Sequence, residues 1–249
     1  MTRYEDSSQL VKSIASNEDG IGFCGLAYVD SSVKGLAVQA GENTTAFEPS
    51  RLTVKTQDYA LARLLYFYLP ADAPEMARDF VKFTMSNEGQ EVVDSSGLVG
   101  QGLSTKADFN NANSYKDQLL KNELIPEGYK ELIRNADRRD TQANLRFASG
   151  SMKLDVNSQN NINRLVGFLA ESGNENLAIK LIGFTDSSGS SEQNLKLSKR
   201  RAEAVADTLR LKGVRGVSHY GFGEEMPVAD NSTANGQEKN RRVEIWLQR

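Results

Sequence analysis

Two opposite charges in the second half of the chain are the residues most suited to binding chemistry. Asp186 follows an apolar run that predicts a β-strand, and Arg201 falls within the helical pattern that comes next. Arg201 shares one helical face with Leu197, Val205 and Leu209, since residues three or four apart lie on the same side of a helix. A charge on a face that packs against a core is costly unless it is paired. The partner of Arg201 is therefore the central functional question.

A carboxylate and a guanidinium separated by a small polar loop suit a zwitterionic ligand. Residues 187–191, between the strand and the helix, are all Ser or Gly. Asp186 would receive an ammonium group and Arg201 a carboxylate in bidentate geometry. Asn194 lies on the face of Arg201, and Arg241 opens the last predicted strand, so both add donors. The same spacing also allows Asp186 and Arg201 to pair with each other, which would leave no binding site.

The elements that position these residues follow from the periodicity after residue 143. Strands are predicted at 145–147, 177–184, 217–222 and 241–247, and helices at 157–173 and 190–213. Ser190 and Gln193 form a capping-box pattern at the start of the second helix. The order predicts a βαβαββ mixed sheet with helices on one face, an α/β (α+β) arrangement. Asp186 would then lie beyond the carboxyl end of a strand, where ligands bind in α/β sheets.

The first half predicts a second α/β unit. Amphipathic patterns indicate helices at 72–86, 87–94, 115–121 and 127–135, and apolar runs indicate buried strands at 21–29, 35–39 and 60–69. Residues 136–142 are polar and lack periodicity, which is typical of a linker. We therefore expect domains at 1–135 and 143–249.

Composition excludes several classes of function. The 249 residues carry a net charge of −3, and their basic residues are not clustered with aromatics, so no nucleic-acid partner is expected. No apolar run reaches the length of a transmembrane segment. With one cysteine, Cys24, expected in a buried strand, and one histidine, His219, expected at the surface, we predict no metal site or cofactor. No nucleophile–base pair is visible, so we do not expect an enzyme. Trp246 is expected to be half exposed.

Four motifs in the second half resemble one known family, the OmpA-like peptidoglycan-binding domain, over about residues 143–249. In that family the domain holds the meso-diaminopimelate of the peptidoglycan stem without covalent chemistry. The motifs are Thr185-Asp186, Asn194-x-x-Leu197-Ser198-x-x-Arg201-Ala202, Gly221-x-Gly223-Glu224-x-x-Pro227 and Asn240-Arg241-Arg242-Val243.

The resemblance implies a role for each predicted site residue. The key aspartate of the family falls on Asp186 and its key arginine on Arg201, while Asn194 and Arg241 match further pocket positions, with Thr185 adjacent. The far end of diaminopimelate carries an amino group and a carboxylate, and both are free when the stem is not cross-linked. The chain departs from the family pattern at Phe184, where a polar residue is common, and at Ala148, where an acidic residue is usual.

The first half resembles the C-terminal lobe of PstS-like phosphate-binding periplasmic receptors, over residues 13–100. Residues 15–28 and 33–36 carry the resemblance. The Ser-Gly-Thr loop that holds phosphate in such receptors is absent, so no phosphate contact can be assigned to a residue here. The missing loop, and the lack of a secretory signal at Met1, lead us to expect a truncated chain.

These observations predict a non-catalytic anchor that binds peptidoglycan in the periplasm of a Gram-negative envelope, associated with the wall or the outer membrane. One alternative is a wall-tethered phosphate-binding receptor of an ABC transport system. Another is an interaction module in which the first half docks an envelope protein, and a large exposed apolar face on that half would favour it.

Overall fold

The computed structural model describes residues 2–102, 109–136 and 144–248. Residues 137–142 of the predicted linker lie outside these ranges, so the division into domains at 1–135 and 143–249 stays a prediction. None of the described helices combines the length and the apolarity that a bilayer crossing requires.

Helices dominate the first half. The helices predicted at 72–86, 87–94 and 127–135 are confirmed within a few residues, the one predicted at 115–121 begins six residues earlier, and the helix at Arg51–Lys55 was not predicted. A 3-10 turn is present at Leu26–Tyr28. The bounds are α1 Ser7–Ala15, α2 Arg51–Lys55, α3 Glu75–Met85, α4 Asn87–Ser95, α5 Phe109–Lys121 and α6 Glu127–Arg134.

The three strands predicted in the first half are wrong. Residues 21–25 and 63–70 have no regular structure, and 35–39 contribute only an isolated bridge between Val38 and Phe47. A strand is stable only when a neighbour satisfies its backbone groups, and apart from the Val38–Phe47 bridge no described strand pairs with these runs. Their side chains are accordingly open to solvent: Ile21 is 78% and Tyr68 88% exposed. Cys24 is half-buried in this irregular segment rather than in a core.

The second half forms the predicted mixed sheet. The strands are β1 Leu145–Arg146, β2 Ala178–Gly183, β3 Val217–Gly221 and β4 Arg242–Gln248, in the order β1-β4-β2-β3. β2 and β3 are parallel, and β4 runs antiparallel to both β1 and β2. A short helix that the sequence did not predict, Ala234–Asn240 (α9), precedes β4.

Two helices, Val156–Leu169 (α7) and Ser191–Leu211 (α8), cover one face of the sheet. The side chain of Ser190 caps α8 by accepting from the amide of Gln193, as the capping pattern predicts. Two paired glycines, Gly183 and Gly221, allow α8 to lie against the strands. A Cβ at Gly183 would meet the backbone oxygen of Ser198 at 2.1 Å. This close approach fixes the height of α8 above the sheet, and with it the depth of Arg201.

The opposite face of the sheet is covered by the first half. Its core joins Ile182, Phe184 and Trp246 to side chains of α2, α5 and α6, including Leu52, Leu119, Tyr129 and Ile133. The expectation that Trp246 is half exposed is wrong, because its side chain is completely buried in this second core. Both faces of β1, β2 and β4 are therefore largely buried, whereas the residues of the edge strand β3 are partly exposed.

Polar contacts reinforce the packing of the first half on the sheet. The Tyr129 hydroxyl donates to Glu244 Oε2 at 2.7 Å, and Lys180 Nζ donates to the Leu132 carbonyl at 2.7 Å. Arg146 is buried, and its Nη2 donates to the Thr56 carbonyl at 2.9 Å. Burial lowers the pKa of Arg146 to about 10, partly offset by the charge of Asp58. The described residues of the two halves thus share one polar and apolar interface.

Candidate functional site

The position of Asp186 is set by the end of β2. The Phe184 amide donates to the Arg242 carbonyl at 2.8 Å, and the Thr185 amide donates to the Gly223 carbonyl at 2.7 Å. These bonds extend the backbone pairing beyond the strand and present Asp186 at its carboxyl end, as predicted. Asp186 Oδ1 accepts the amide of Ser188 at 2.9 Å, which holds the carboxylate at the start of the polar loop.

Arg201 lies fully buried on the inner face of α8. Its guanidinium is stacked over the Phe147 ring, 5.1 Å from the centroid. Nε donates to the Ser151 carbonyl at 3.1 Å and Nη2 to the Ala148 carbonyl at 3.3 Å. Nη1 is buried and has no hydrogen-bond partner in the described part of the chain. Two of the donors of this cation are therefore taken by one loop, and one nitrogen is unused.

Arg241 is the direct partner of Asp186. Its Nη1 lies 2.8 Å from Asp186 Oδ2, and the two side chains are only 11% and 9% exposed. The Nε of Arg241 donates to the Phe147 carbonyl at 3.2 Å. The neighbouring Asn240 anchors this turn, because its Oδ1 accepts the amides of Val228 and Ala229.

Three charges share this small volume, two guanidinium groups and one carboxylate. Burial alone would raise the pKa of Asp186, but hydrogen bonds from Arg241 and Ser188 and the charge of Arg241 outweigh it, so the pKa is lowered. Burial lowers the pKa of Arg201 to about 10, the Asp186 carboxylate opposes that shift, and Arg241 adds to it. With two guanidinium groups and one carboxylate, the cluster has a formal excess of one positive charge.

The remaining predicted residues are Thr185, which precedes Asp186, and Asn194, which is buried on α8. Thr185 Oγ1 is buried and has no hydrogen-bond partner among the described residues. Asn194 Nδ2 donates a short hydrogen bond to Glu224 Oε2, and Glu224 Oε1 accepts from the Ser191 hydroxyl at 2.8 Å. Asn194 therefore ties the first turns of α8 to the loop that follows β3.

The structure brings Asp186, Arg201 and Arg241 together, with Thr185 next to Asp186 in the chain, whereas Asn194 on α8 bonds to Glu224. The ion pair that could have removed the site, between Asp186 and Arg201, is not formed, since Asp186 pairs with Arg241. The carbonyls of Ala148 and Ser151, which hold Arg201, were missed because backbone acceptors leave no signal in residue type. Glu224 was missed as a partner of Asn194, although the motif Gly221-x-Gly223-Glu224 contains it.

A cleft of about 410 Å³ lies beside this cluster, between α7 and α8. Phe147, which supports Arg201, lines one wall, and Met152, Ile162 and Val205 contribute further apolar surface. None of the five predicted residues lines this cleft, so the cavity and the charged cluster are neighbours that share only Phe147.

Other sequence-based expectations concern the lone histidine and metal ions. His219 lies on β3, partly buried, and its Nδ1 has no partner among the described residues. Among residues 2–102, 109–136 and 144–248, no three His, Cys, Asp or Glu side chains lie close enough together to hold a metal ion.

Comparison with known proteins identifies the second half. Residues 146–241 match the model of the OmpA family, so the predicted OmpA-like domain is confirmed. The chain is 42% identical over 110 residues to outer membrane porin F of Pseudomonas aeruginosa, covering 43% of this chain and 31% of the relative. It is 48% identical over 63 residues to the peptidoglycan-binding protein ArfA of Mycobacterium tuberculosis, covering 24% of this chain and 19% of the relative.

A more distant match concerns a solute receptor. The chain is 25% identical over 116 residues to the phosphate-binding protein PstS of Staphylococcus haemolyticus, covering 44% of this chain and 36% of the relative. The chain thus spans about a third or less of each of these three relatives. The PstS-like lobe in the first half stays a prediction.

Proposed function

We propose that the OmpA-like domain, residues 146–241, binds peptidoglycan without covalent chemistry and anchors the protein to the cell wall. The observation that carries this proposal is the buried cluster of Arg201, Arg241 and Asp186. It holds one positive charge in excess, and Arg201 Nη1 has no partner in the described part of the chain. Such a cluster attracts a carboxylate.

The group recognised is the free end of meso-diaminopimelate, whose carboxylate and ammonium lie on one carbon. The carboxylate binds the guanidinium of Arg201, where charge-assisted hydrogen bonds are strongest. The ammonium approaches the carboxylate of Asp186. Thr185 and Asn194 border this position, and the buried Thr185 hydroxyl can donate to the same ligand. The name of the relative ArfA, a peptidoglycan-binding protein, supports this choice of ligand class.

A ligand can reach Arg201 only if the loop at residues 148–151 moves away from its guanidinium. The carbonyls of Ala148 and Ser151 hold Nε and Nη2, and the side chain has no exposed surface. A carboxylate offers the guanidinium two anionic acceptors in place of two neutral carbonyls, and charged acceptors bind about twice as strongly. Replacement of the two backbone carbonyls by the ligand carboxylate is therefore favourable enough to displace the loop.

The expected affinity of one site is modest. Two charge-assisted contacts, offset by displacement of the loop, give a dissociation constant on the order of micromolar or weaker. Useful attachment then comes from the polymer, because many chains bound to one sacculus, or one chain that rebinds neighbouring stems, raise the effective concentration. In this proposal the protein is an anchor at the wall in the periplasm and not an enzyme.

The experiment is sedimentation with purified sacculi. Asp186→Ala and Arg201→Ala should each remove pelleting, and free meso-diaminopimelate should compete with the wild-type protein. Arg200→Ala and Asp207→Ala are matched controls, since both residues lie exposed on α8 and remove the same charges. Circular dichroism should show the fold of every variant intact. Undiminished pelleting of both site variants would contradict the proposed site.

A second role is favoured by the exposed apolar surface of the first half. Large apolar side chains there lie open to solvent, and exposed apolar surface can mark an interaction site. They include Ile21, Phe23, Leu65, Tyr66, Phe67, Tyr68, Met76 and Phe80. We propose that this surface docks another protein of the cell envelope. Cross-linking in intact cells through a photoreactive residue at position 67 or 76, compared with the buried position 52, tests this role.

A further inference from the structure

We propose that the cleft between α7 and α8 is a second binding site, and that it takes a medium-chain fatty acid. The site goes beyond the proposed function, because none of the five residues assigned to wall binding lines this cleft. Its volume of about 410 Å³ lies within the range of about 300–1,000 Å³ that is usual for small-ligand sites. The floor, the rim and the length of the cleft each point to this class of ligand.

The floor of the cleft is apolar and receives side chains from both helices. Ile162 of α7 and Val205 of α8 line it and are buried, as is Phe147, which follows β1. Met152 lies exposed at the edge of the cleft, and its flexible side chain can fold over a bound chain. Because these side chains offer no strong hydrogen bond, the floor favours a hydrocarbon chain over a polar group.

The rim of the cleft is polar and carries one positive charge. Among the described residues that line the cavity, Lys212 is the only charged one, and no Asp or Glu is present. Asp207, the acidic residue closest to Lys212 along α8, is already paired with Arg210 at 2.8 Å. Asn163 adds an amide that can donate a hydrogen bond. The rim therefore complements a ligand with a single negative charge.

The cation and the aromatic ring lie at opposite ends of the cleft. Phe147 is at the level of Arg201, whose guanidinium lies 5.1 Å from the ring centroid. Lys212 comes at the C-terminal end of α8, and the helix rises about 12 Å from Ala204 to Lys212. An elongated apolar floor with one ammonium at its end suits an unbranched chain with a terminal carboxylate. The carboxylate binds Lys212, and the chain extends over Val205 and Ile162 towards Phe147.

The test is a titration followed by NMR of the chain labelled with carbon-13 in its methionine methyl groups. Met152 lines the cleft, and Met76, which is exposed in the first half, is the internal control. Sodium decanoate, kept below the concentration at which it forms micelles, should shift the Met152 signal in a saturable manner and leave the Met76 signal in place. Octanoate is two methylene groups shorter and should bind about 4–15-fold more weakly, since a fully buried methylene contributes about fourfold and the chain is only partly covered.

Two substitutions separate the charged head from the apolar floor. Lys212→Met should weaken decanoate binding about tenfold and leave binding of the uncharged decanol unchanged, because only the carboxylate contacts the ammonium. Ala204→Leu enlarges a side chain that lines the cleft and should weaken binding of both probes. Lys199→Met is the matched control, since Lys199 is exposed on α8 and does not line the cleft. It should bind decanoate as the wild-type chain does.

Three results would overturn the inference. The first is a Met152 signal that decanoate does not move. The second is an equal, unsaturated shift of Met76, which would indicate adsorption to the exposed apolar surface of the first half. The third is unchanged decanoate affinity in Lys212→Met. Pelleting with sacculi is measured separately, and Lys212→Met should pellet as the wild-type chain does. Failure to bind decanoate thus leaves the proposed function intact, and failure to pellet leaves this inference intact.

Discussion

The contact between Tyr129 and Glu244 offers the sharpest test of how the two halves are joined. The Tyr129 hydroxyl comes from α6 in the first half, and Glu244 lies on β4 in the centre of the sheet. Tyr129→Phe removes this donor and keeps the ring, which packs edge-on against Trp246 and Phe222. The substitution therefore isolates one hydrogen bond across the interface.

The expected loss in the free energy of unfolding follows from the surroundings of Glu244. A hydrogen bond to a charged group contributes about 1.5–3 kcal/mol. Trp246 Nε1 donates to the same oxygen at 3.1 Å, and Arg242 Nε donates to the other at 3.0 Å. Since the carboxylate keeps these donors, the loss should fall at the lower end, about 1.5 kcal/mol. The free energy of unfolding typically falls by about 2 kcal/mol per molar urea, so the urea concentration at the midpoint of unfolding should fall by roughly 0.7 M.

The chain contains its own probe for the measurement. Trp246 is the single tryptophan, and it is fully buried between the sheet and the first half. Its fluorescence during urea unfolding therefore reports separation of the two halves, and far-UV circular dichroism reports loss of helix. Tyr68→Phe is the matched control, because Tyr68 is exposed and should leave the midpoint unchanged. Equal midpoints for Tyr129→Phe and Tyr68→Phe would refute the docked arrangement of the first half.

Two further predictions concern the site. The pKa of Asp186 is lower in the folded chain than in the unfolded one, so its contribution to stability is complete above about pH 4 and is lost as the pH falls through the folded value. Thermal unfolding should therefore show Asp186→Asn less stable than the wild-type chain at pH 7, with the difference shrinking at pH 3; a constant difference would contradict the ion pair. Gly183→Ala should cost about 1–3 kcal/mol and weaken sacculus binding, because its Cβ would meet the Ser198 carbonyl oxygen at 2.1 Å and lift α8. Gly167→Ala, which meets nothing within 4 Å on α7, should keep binding and gain about 0.5–1 kcal/mol in the same melts.

The second half was predictable because its local signals agree with its packing. The apolar stripe of α8, the cap at Ser190 and the alternation in β4 each indicate the element that forms there. The exception is α9, a seven-residue helix that contains three poor helix formers, Asn235, Gly236 and Asn240. It forms because Thr233 caps its first turn and Asn240 ties its end to the preceding loop.

The first half was less predictable, because an apolar run indicates a strand whether or not a partner strand exists. Residues 60–69 carry the composition of a buried strand, yet Leu65 is 71% exposed. Trp246 was misjudged for a related reason. The alternation in β4 shows which way its side chain points, but it cannot show that α5 and α6 cover that face.

At the candidate site, the sequence indicated the participants but not their pairing. Asp186, Arg201 and Arg241 all belong to the cluster, and spacing alone cannot decide which arginine reaches the carboxylate. That choice depends on the loop at residues 148–151, whose carbonyls hold Arg201 away from Asp186.

The order of strands in the sheet constrains when this domain can fold. β4, the last strand in the sequence, lies in the interior of the sheet between β1 and β2. Neither neighbour has its pairing edge satisfied until residues 242–248 arrive, so the sheet cannot assemble progressively from its N-terminal end. β1 and β2 are therefore joined only through residues 242–248, so the sheet closes in one late step that depends on a segment distant from both in the sequence.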